Sequence, residues 1–168
     1  MKEQTYKNIN FWFREKDSRM KKFLVIYKIL PLMVVAAYGV AVFIQFYQAK
    51  GDYEKLIRVI LVPAVTFILC TIFRKIVNER RPYEVWDLKP LVKKDKKGQS
   101  FPSRHMLSAT IIAMACFYTN HILGIVMFVL ALFVGIVRPI AGVHFVKDIV
   151  AALILGILCG IVGFYIIP

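Results

Sequence analysis

Five apolar runs divide this chain, and they constrain its fold more than any other feature. The first, residues 23–47, is 25 residues long. At about 1.5 Å per helical residue it can cross a bilayer core of about 30 Å with some tilt. The others are residues 56–73, 101–118, 122–137 and a last run from Phe145 to the C-terminus, the third and fourth being short. Their apolar residues fill blocks and do not follow the stripe of a surface helix. Hydrophobic residues make up 59% of a 168-residue chain, too many for a soluble domain of this length. The expected fold class is therefore all-α. We expect one membrane-embedded domain, a polytopic transmembrane helical bundle of about five spans over residues 23–168. A basic interfacial segment, residues 1–22, should precede it.

That leading segment carries seven basic and three acidic side chains around an aromatic knot of Phe11, Trp12 and Phe13. Such a mixture suits the membrane interface. The run after it is too long for the apolar region of a signal peptide. Lys28 can snorkel from the first span, Pro31 should bend it, and Pro139 should end the fourth. The net charge of +13 is concentrated outside the runs, which points to membrane topology and anionic lipid instead of nucleic acid. Cys70, Cys116 and Cys159 all sit within runs, which argues against a disulfide framework or a zinc site. Ala152, Gly156 and Gly160 form a small-residue ladder at spacing four. It would let helices pack closely, either within the chain or across a homodimer interface through the fifth span.

Three polar clusters stand at the edges of these runs: Arg74 with Arg81-Pro82, Pro102-Ser103-Arg104-His105, and Arg138 with His144 and Asp148. Charged groups beside membrane spans are costly and usually functional. On a helix His144 and Asp148 share a face. The carboxylate can hold one ring nitrogen and leave the other as a directed base or nucleophile. Ser103 is placed to open a helix, whose N-terminus attracts anions, and His105 in its first turn can give a proton to a leaving group. Arg74 and Arg81 offer planar guanidiniums that match phosphate oxygens. Each cluster alone has an ordinary explanation: an interfacial hydrogen bond, a serine cap, span-end anchors. Taken together, the inventory suits a tetrahedral oxyanion attacked by histidine, and so a membrane enzyme working on a phosphate.

The order and spacing of the clusters resemble the type 2 phosphatidic acid phosphatase family, which shares its site with the vanadium haloperoxidases. The family's first motif is Lys, six residues, Arg-Pro; here Arg74 takes the Lys position before Arg81-Pro82. Its second, Pro-Ser-Gly-His, is matched by Pro102-Ser103-Arg104-His105, with Arg104 in place of Gly. Its third, Ser-Arg, five residues, His, three residues, Asp, is matched by Val137-Arg138, His144 and Asp148, with Val137 in place of Ser. The resemblance implies that His144 forms a phosphohistidine, oriented by Asp148, and that His105 protonates the leaving group. It also implies that Arg74, Arg81, Ser103 and Arg138, with Arg104 beside them, hold the phosphate. Neither metal nor other cofactor is expected, because positioning and positive charge meet the needs of phosphoryl transfer.

The expected activity is hydrolysis of a lipid phosphate or pyrophosphate, such as undecaprenyl pyrophosphate, with phosphatidic acid or phosphatidylglycerol phosphate as alternatives. Partners would then be that substrate and membrane lipids, with no nucleic acid. A non-catalytic basic protein binding anionic lipid is the rival of another class, but lipid attraction needs only Lys and Arg, not two histidines and an aspartate. The expected location is a bacterial cell membrane, crossed several times. Residues 74–104 hold ten basic side chains, whereas the links at 48–55 and 119–121 hold only Lys50 and Lys55. The positive-inside rule places the N-terminus and all three clusters on the cytoplasmic side. Familiar bacterial relatives, with six spans, face outward.

Overall fold

The computed structural model describes residues 3–51, 53–94 and 96–167, and among these no strand occurs. The helices are α1 (Glu3–Arg14), α2 (Asp17–Gln48), α3 (Glu54–Val77), a single turn α4 (Pro82–Val85), α5 (Arg104–Thr119), α6 (His121–Ile140) and α7 (Val146–Ile161). A π-helical turn, Val162–Ile166, follows α7. The last residue of the fifth run, Pro168, lies outside the described residues.

Among the described residues, four helical segments are long and apolar enough to cross a membrane: Asp17–Gln48, Glu54–Val85, His121–Ile140 and Val146–Ile166. The third apolar run forms α5, a helix of only 16 residues that falls just short of that length and runs through the middle of the bundle. Its role explains its length. On one side Ala109, Ala113 and Cys116 meet Val34 and Ala41 of α2 and Met127, Ala131 and Val134 of α6. On another, Ile111, Met114 and Ala115 meet Val59 of α3 and Phe164. Met106 and Leu107 face Cys70 and Ala152. A helix apolar all round belongs inside the bundle, and its alanines let neighbours come close enough for dispersion to hold them.

The small-residue ladder serves this packing. Ala152, Gly156 and Gly160 are all buried, and a Cβ on Gly156 would lie 2.7 Å from Thr110 Cβ of α5. A second copy docking on α7 would have to use the opposite, exposed face with Ile154, Leu158 and Ile161.

Two boundaries differ from expectation. α2 begins at Asp17, six residues before the apolar run, with the aspartate in its first turn where the helix dipole favours negative charge. α6 continues through Pro139 to Ile140, because a proline in the last turn removes only one hydrogen bond. The stop comes from Gly142, whose φ of 76° is a left-handed conformation that glycine adopts without strain. Its N–H donates to Pro139 O at 2.9 Å.

The N-terminal segment folds back over one end of the bundle. Phe13 packs on Phe23 at 4.7 Å between ring centroids, and the Arg14 guanidinium donates to Lys89 O and to Pro90 O at 3.3 and 3.0 Å. Tyr6 is buried, while Phe11 and Trp12 remain 73% and 51% exposed. The leading segment, the 78–103 loop and the 141–145 loop therefore share one end of the bundle.

Candidate active site

Asp148 occupies the first turn of α7 and is fully buried. Its Oδ2 accepts the Phe145 backbone N–H at 2.9 Å, so the carboxylate closes the helix start that positions it. One turn earlier along the chain, His144 Nδ1 lies 3.4 Å from the same oxygen. That is longer than a well-formed N–H···O bond. Ser100 Oγ reaches the same oxygen, donating at 2.5 Å, and lies 3.5 Å from His144 Nδ1. With the carboxylate facing Nδ1, the proton belongs there and the lone pair falls on Nε2. Burial pushes the imidazole down to about 4, against the upward pull of Asp148. His144 is therefore neutral at ordinary pH.

The backbone of this residue is held from outside the bundle. Tyr6 Oη donates to His144 O at 3.0 Å. The Tyr6 ring lies 4.9 Å from Trp86, which meets Phe145 edge-on at 5.2 Å. Burial, more than the nearby Asp148 charge, pushes the Tyr6 phenol up to about 12, so it remains a donor.

The arginines divide into two kinds. Arg74, at the end of α3, donates to Ser100 O at 3.2 Å and to the carbonyls of Pro102 and Gln99. Arg81 donates from Nε to Gly98 O at 2.9 Å and from Nη1 to Val143 O at 3.2 Å. Both are buried, and between them they fasten the loops that carry the other two clusters. Ser103 N adds a bond to Asp148 O at 3.0 Å. Arg138 differs: only 2% exposed, its guanidinium lies 4.2 Å over the Tyr27 ring of α2. Its Nε has no partner among the described residues, and neither does the fully buried Oγ of Ser103. Buried donors are nearly always paired, so these two are aimed at something that accepts hydrogen bonds.

His105 stands in the first turn of α5, within electrostatic reach of Arg138, His144, Lys94 and Arg104. With Pro31, Phe67 and Val34 it lines a cavity of about 180 Å³ between α2, α3 and α6. Arg104 lines the same cavity, but its guanidinium turns to α3 and sits 5.3 Å from the Phe67 ring centroid. Val137 joins the buried cluster that includes Phe23 and Tyr27 of α2. Ser100, Tyr6, Tyr27 and Lys94 were not legible as site residues in the sequence. Ser100 adjoins the second cluster, which is the one local hint; the others arrive from distant segments. Among the described residues no group of three His, Cys, Asp or Glu is placed to hold a metal ion.

The profile of the PAP2 superfamily matches residues 55–168. The chain belongs to this superfamily. It is 30% identical over 141 residues to phosphatidylglycerophosphatase B of Bacillus subtilis, a match covering 77% of this chain and 63% of that protein. The chain thus spans somewhat less than two thirds of that relative's length. Two solved structures share the fold. LpxE of Aquifex aeolicus aligns with TM-score 0.59 and 24% identity over 85% of this chain and 92% of that one. A transmembrane PAP2 type phosphatidylglycerolphosphate phosphatase from Bacillus subtilis aligns with TM-score 0.58 and 19% identity, over 95% and 90%. This PAP2 member is a multi-pass membrane protein, and the three clusters that align with the family motifs are those that its fold gathers at one end.

Proposed function

We propose that the protein is a membrane lipid phosphatase acting through a phosphohistidine on His144. The observation that carries this reading is the set around that ring: Nδ1 turned to Asp148 and Ser100, Nε2 left free, and unpartnered buried donors on Ser103 and Arg138. Nε2 attacks phosphorus, the P–O bond to the lipid breaks, and His105 gives its proton to the leaving oxygen. Water then attacks phosphorus and gives a proton to His105, the N–P bond to His144 breaks, and orthophosphate departs. Arg138 and Ser103 stabilise the equatorial oxygens where charge collects. Arg74 and Arg81 add positive charge while holding the loops. The His144–Asp148 separation is that of a site at rest, and such bonds tighten when substrate binds.

Phosphatidylglycerol phosphate is the substrate this reading favours, because the curated relative carries that specificity in its name. Phosphatidic acid and undecaprenyl pyrophosphate are the other candidates. The test is phosphate release from these three lipids by purified protein in neutral detergent, with and without chelator. His144→Ala should fall below about 1% of wild-type release, as expected when a nucleophile is removed, with its thermal transition unchanged. Release by this variant at a tenth of the wild-type rate or more would sink the assignment.

For location, we propose a bacterial cell membrane with the site on the cytoplasmic side, on the lysine and arginine excess of residues 1–22 and 74–104. Lys93→Cys should then resist impermeant thiol reagents in intact cells and Asn120→Cys should react; the reverse pattern would place the site outside.

A further inference from the structure

Beside the candidate active site, the N-terminal part of α2 and residues 89–94 enclose a second cleft, of about 890 Å³. Arg14, Lys28, Lys89, Lys93 and Lys94 line it with Tyr27, and its remaining walls are apolar. No described carboxylate lines it, and none of its lysines makes an ion pair among the described residues. Arg14 is fastened to the carbonyls of Lys89 and Pro90, so its charge is fixed at the rim.

Tyr27 connects the cleft to the reaction centre. Its ring carries the Arg138 guanidinium, a stacking contact at 4.2 Å. The same side chain, only 9% exposed, lines the cleft, so one residue touches both sites. Lys94 is a second connection. Burial, and then the charges of Arg81 and Arg138, push its ammonium down, so one cationic field covers both the reaction centre and the cleft. Repulsion among these cations is unrelieved by protein acids, and an anion would relieve it.

We propose that this cleft is a subsite for a second phosphate of the substrate, on the leaving-group side of the phosphate that His144 attacks. The inference rests on the phosphatase reading above and narrows its substrate to lipids that carry two phosphates. Phosphatidylglycerol phosphate qualifies, with a phosphodiester one glycerol away from its terminal monoester; phosphatidic acid, with one phosphate, does not. Lys28, Arg14 and Tyr27 lie before residue 55, where the match to the superfamily begins. Lys89, Lys93 and Lys94 lie within that match, so the subsite is built jointly by the N-terminal segments and the 89–94 stretch.

The experiment compares kcat/KM for phosphatidylglycerol phosphate and phosphatidic acid in neutral detergent, using wild type and the double variant Lys28→Gln/Lys93→Gln. Wild type should prefer the two-phosphate lipid at least about tenfold, and the double variant should lose most of that preference, the scale expected for charge-assisted contacts. Its rate on phosphatidic acid should stay within about twofold of wild type. Absence of a wild-type preference, or equal loss on both lipids, overturns the subsite while leaving the phosphatase reading intact. If phosphatidylglycerol added to the micelles stimulates both substrates, and the double variant abolishes this, the cleft binds bilayer lipid and the proposal fails. Phosphate release from neither lipid by wild type overturns both readings.

Discussion

Ser100→Ala separates support of the nucleophile from participation in the chemistry. Ser100 is fully buried, and its hydroxyl donates at 2.5 Å to the oxygen of Asp148 that also faces His144. The other carboxylate oxygen, Oδ1, has no partner among the described residues. Deleting the hydroxyl therefore leaves the buried carboxylate with the Phe145 N–H and His144 alone. A hydrogen bond to a buried charge is worth about 1.5–3 kcal/mol. At about 2–4 °C per kcal/mol for a chain of this size, the thermal transition should fall by roughly 3–12 °C. Catalysis should suffer less, because His144 Nδ1 can close its 3.4 Å gap to an oxygen that it then shares only with the Phe145 N–H. We expect kcat within about tenfold of wild type. Intrinsic tryptophan fluorescence on heating in detergent gives the first quantity, and phosphate release the second. An unchanged transition would show that the Ser100 contact holds nothing. A loss of three orders of magnitude or more in kcat at unchanged stability would make Ser100 a reactant and refute the supporting role.

Further outcomes follow from other contacts. Protonated His144 cannot attack phosphorus. Its imidazole is pushed down to about 4, so kcat/KM should stay level on its account as pH falls through 6.5 and drop only near 4. A pH–rate profile corrected for the substrate's own ionisation, near pH ~6 for a phosphomonoester, checks this; a tenfold loss per unit as pH drops below 6.5 would contradict it. Tyr6→Phe removes the hydroxyl on His144 O and should lower kcat by about three- to tenfold with KM unchanged; a change confined to KM would mean that α1 acts on the substrate instead. Gly156→Leu would drive a side chain into Thr110, 2.7 Å from the position of a Cβ, and should destabilise the monomer by at least about 1–3 kcal/mol. Dissociation of an oligomer at unchanged stability would instead place that ladder between copies.

The helical class and the three clusters were legible because each is written locally: block hydrophobicity for the spans, i,i+4 spacing for His144 and Asp148. Arg74 and Arg81 could be picked out as guanidiniums near a phosphate site. Their use as staples for the carbonyls of Gln99, Ser100, Pro102 and Val143 could not, because a backbone carbonyl has no sequence signature. Tyr6 gave no signal, since 138 positions separate it from His144 and only the docking of α1 brings them together. α5 read as a span because its composition matches one; its centrality depends on four other helices. Arg104 and Val137, departures from the family pattern, are explained by neighbours on α3 and α2 that only the fold supplies.

The shortness of α5 has a consequence for access. Sixteen residues rise about 24 Å, against a hydrocarbon layer of about 30 Å. If Asn120 sits level with the far surface, Ser103 and His105 lie roughly a helical turn below the near one. The anion pocket is then a well sunk into the bilayer, roofed by residues 78–103 and by α1. A water-soluble phosphate ester must descend into it and lose hydration on the way. A lipid is already anchored at that depth by its tails, and brings its phosphate to the rim by diffusing in the plane.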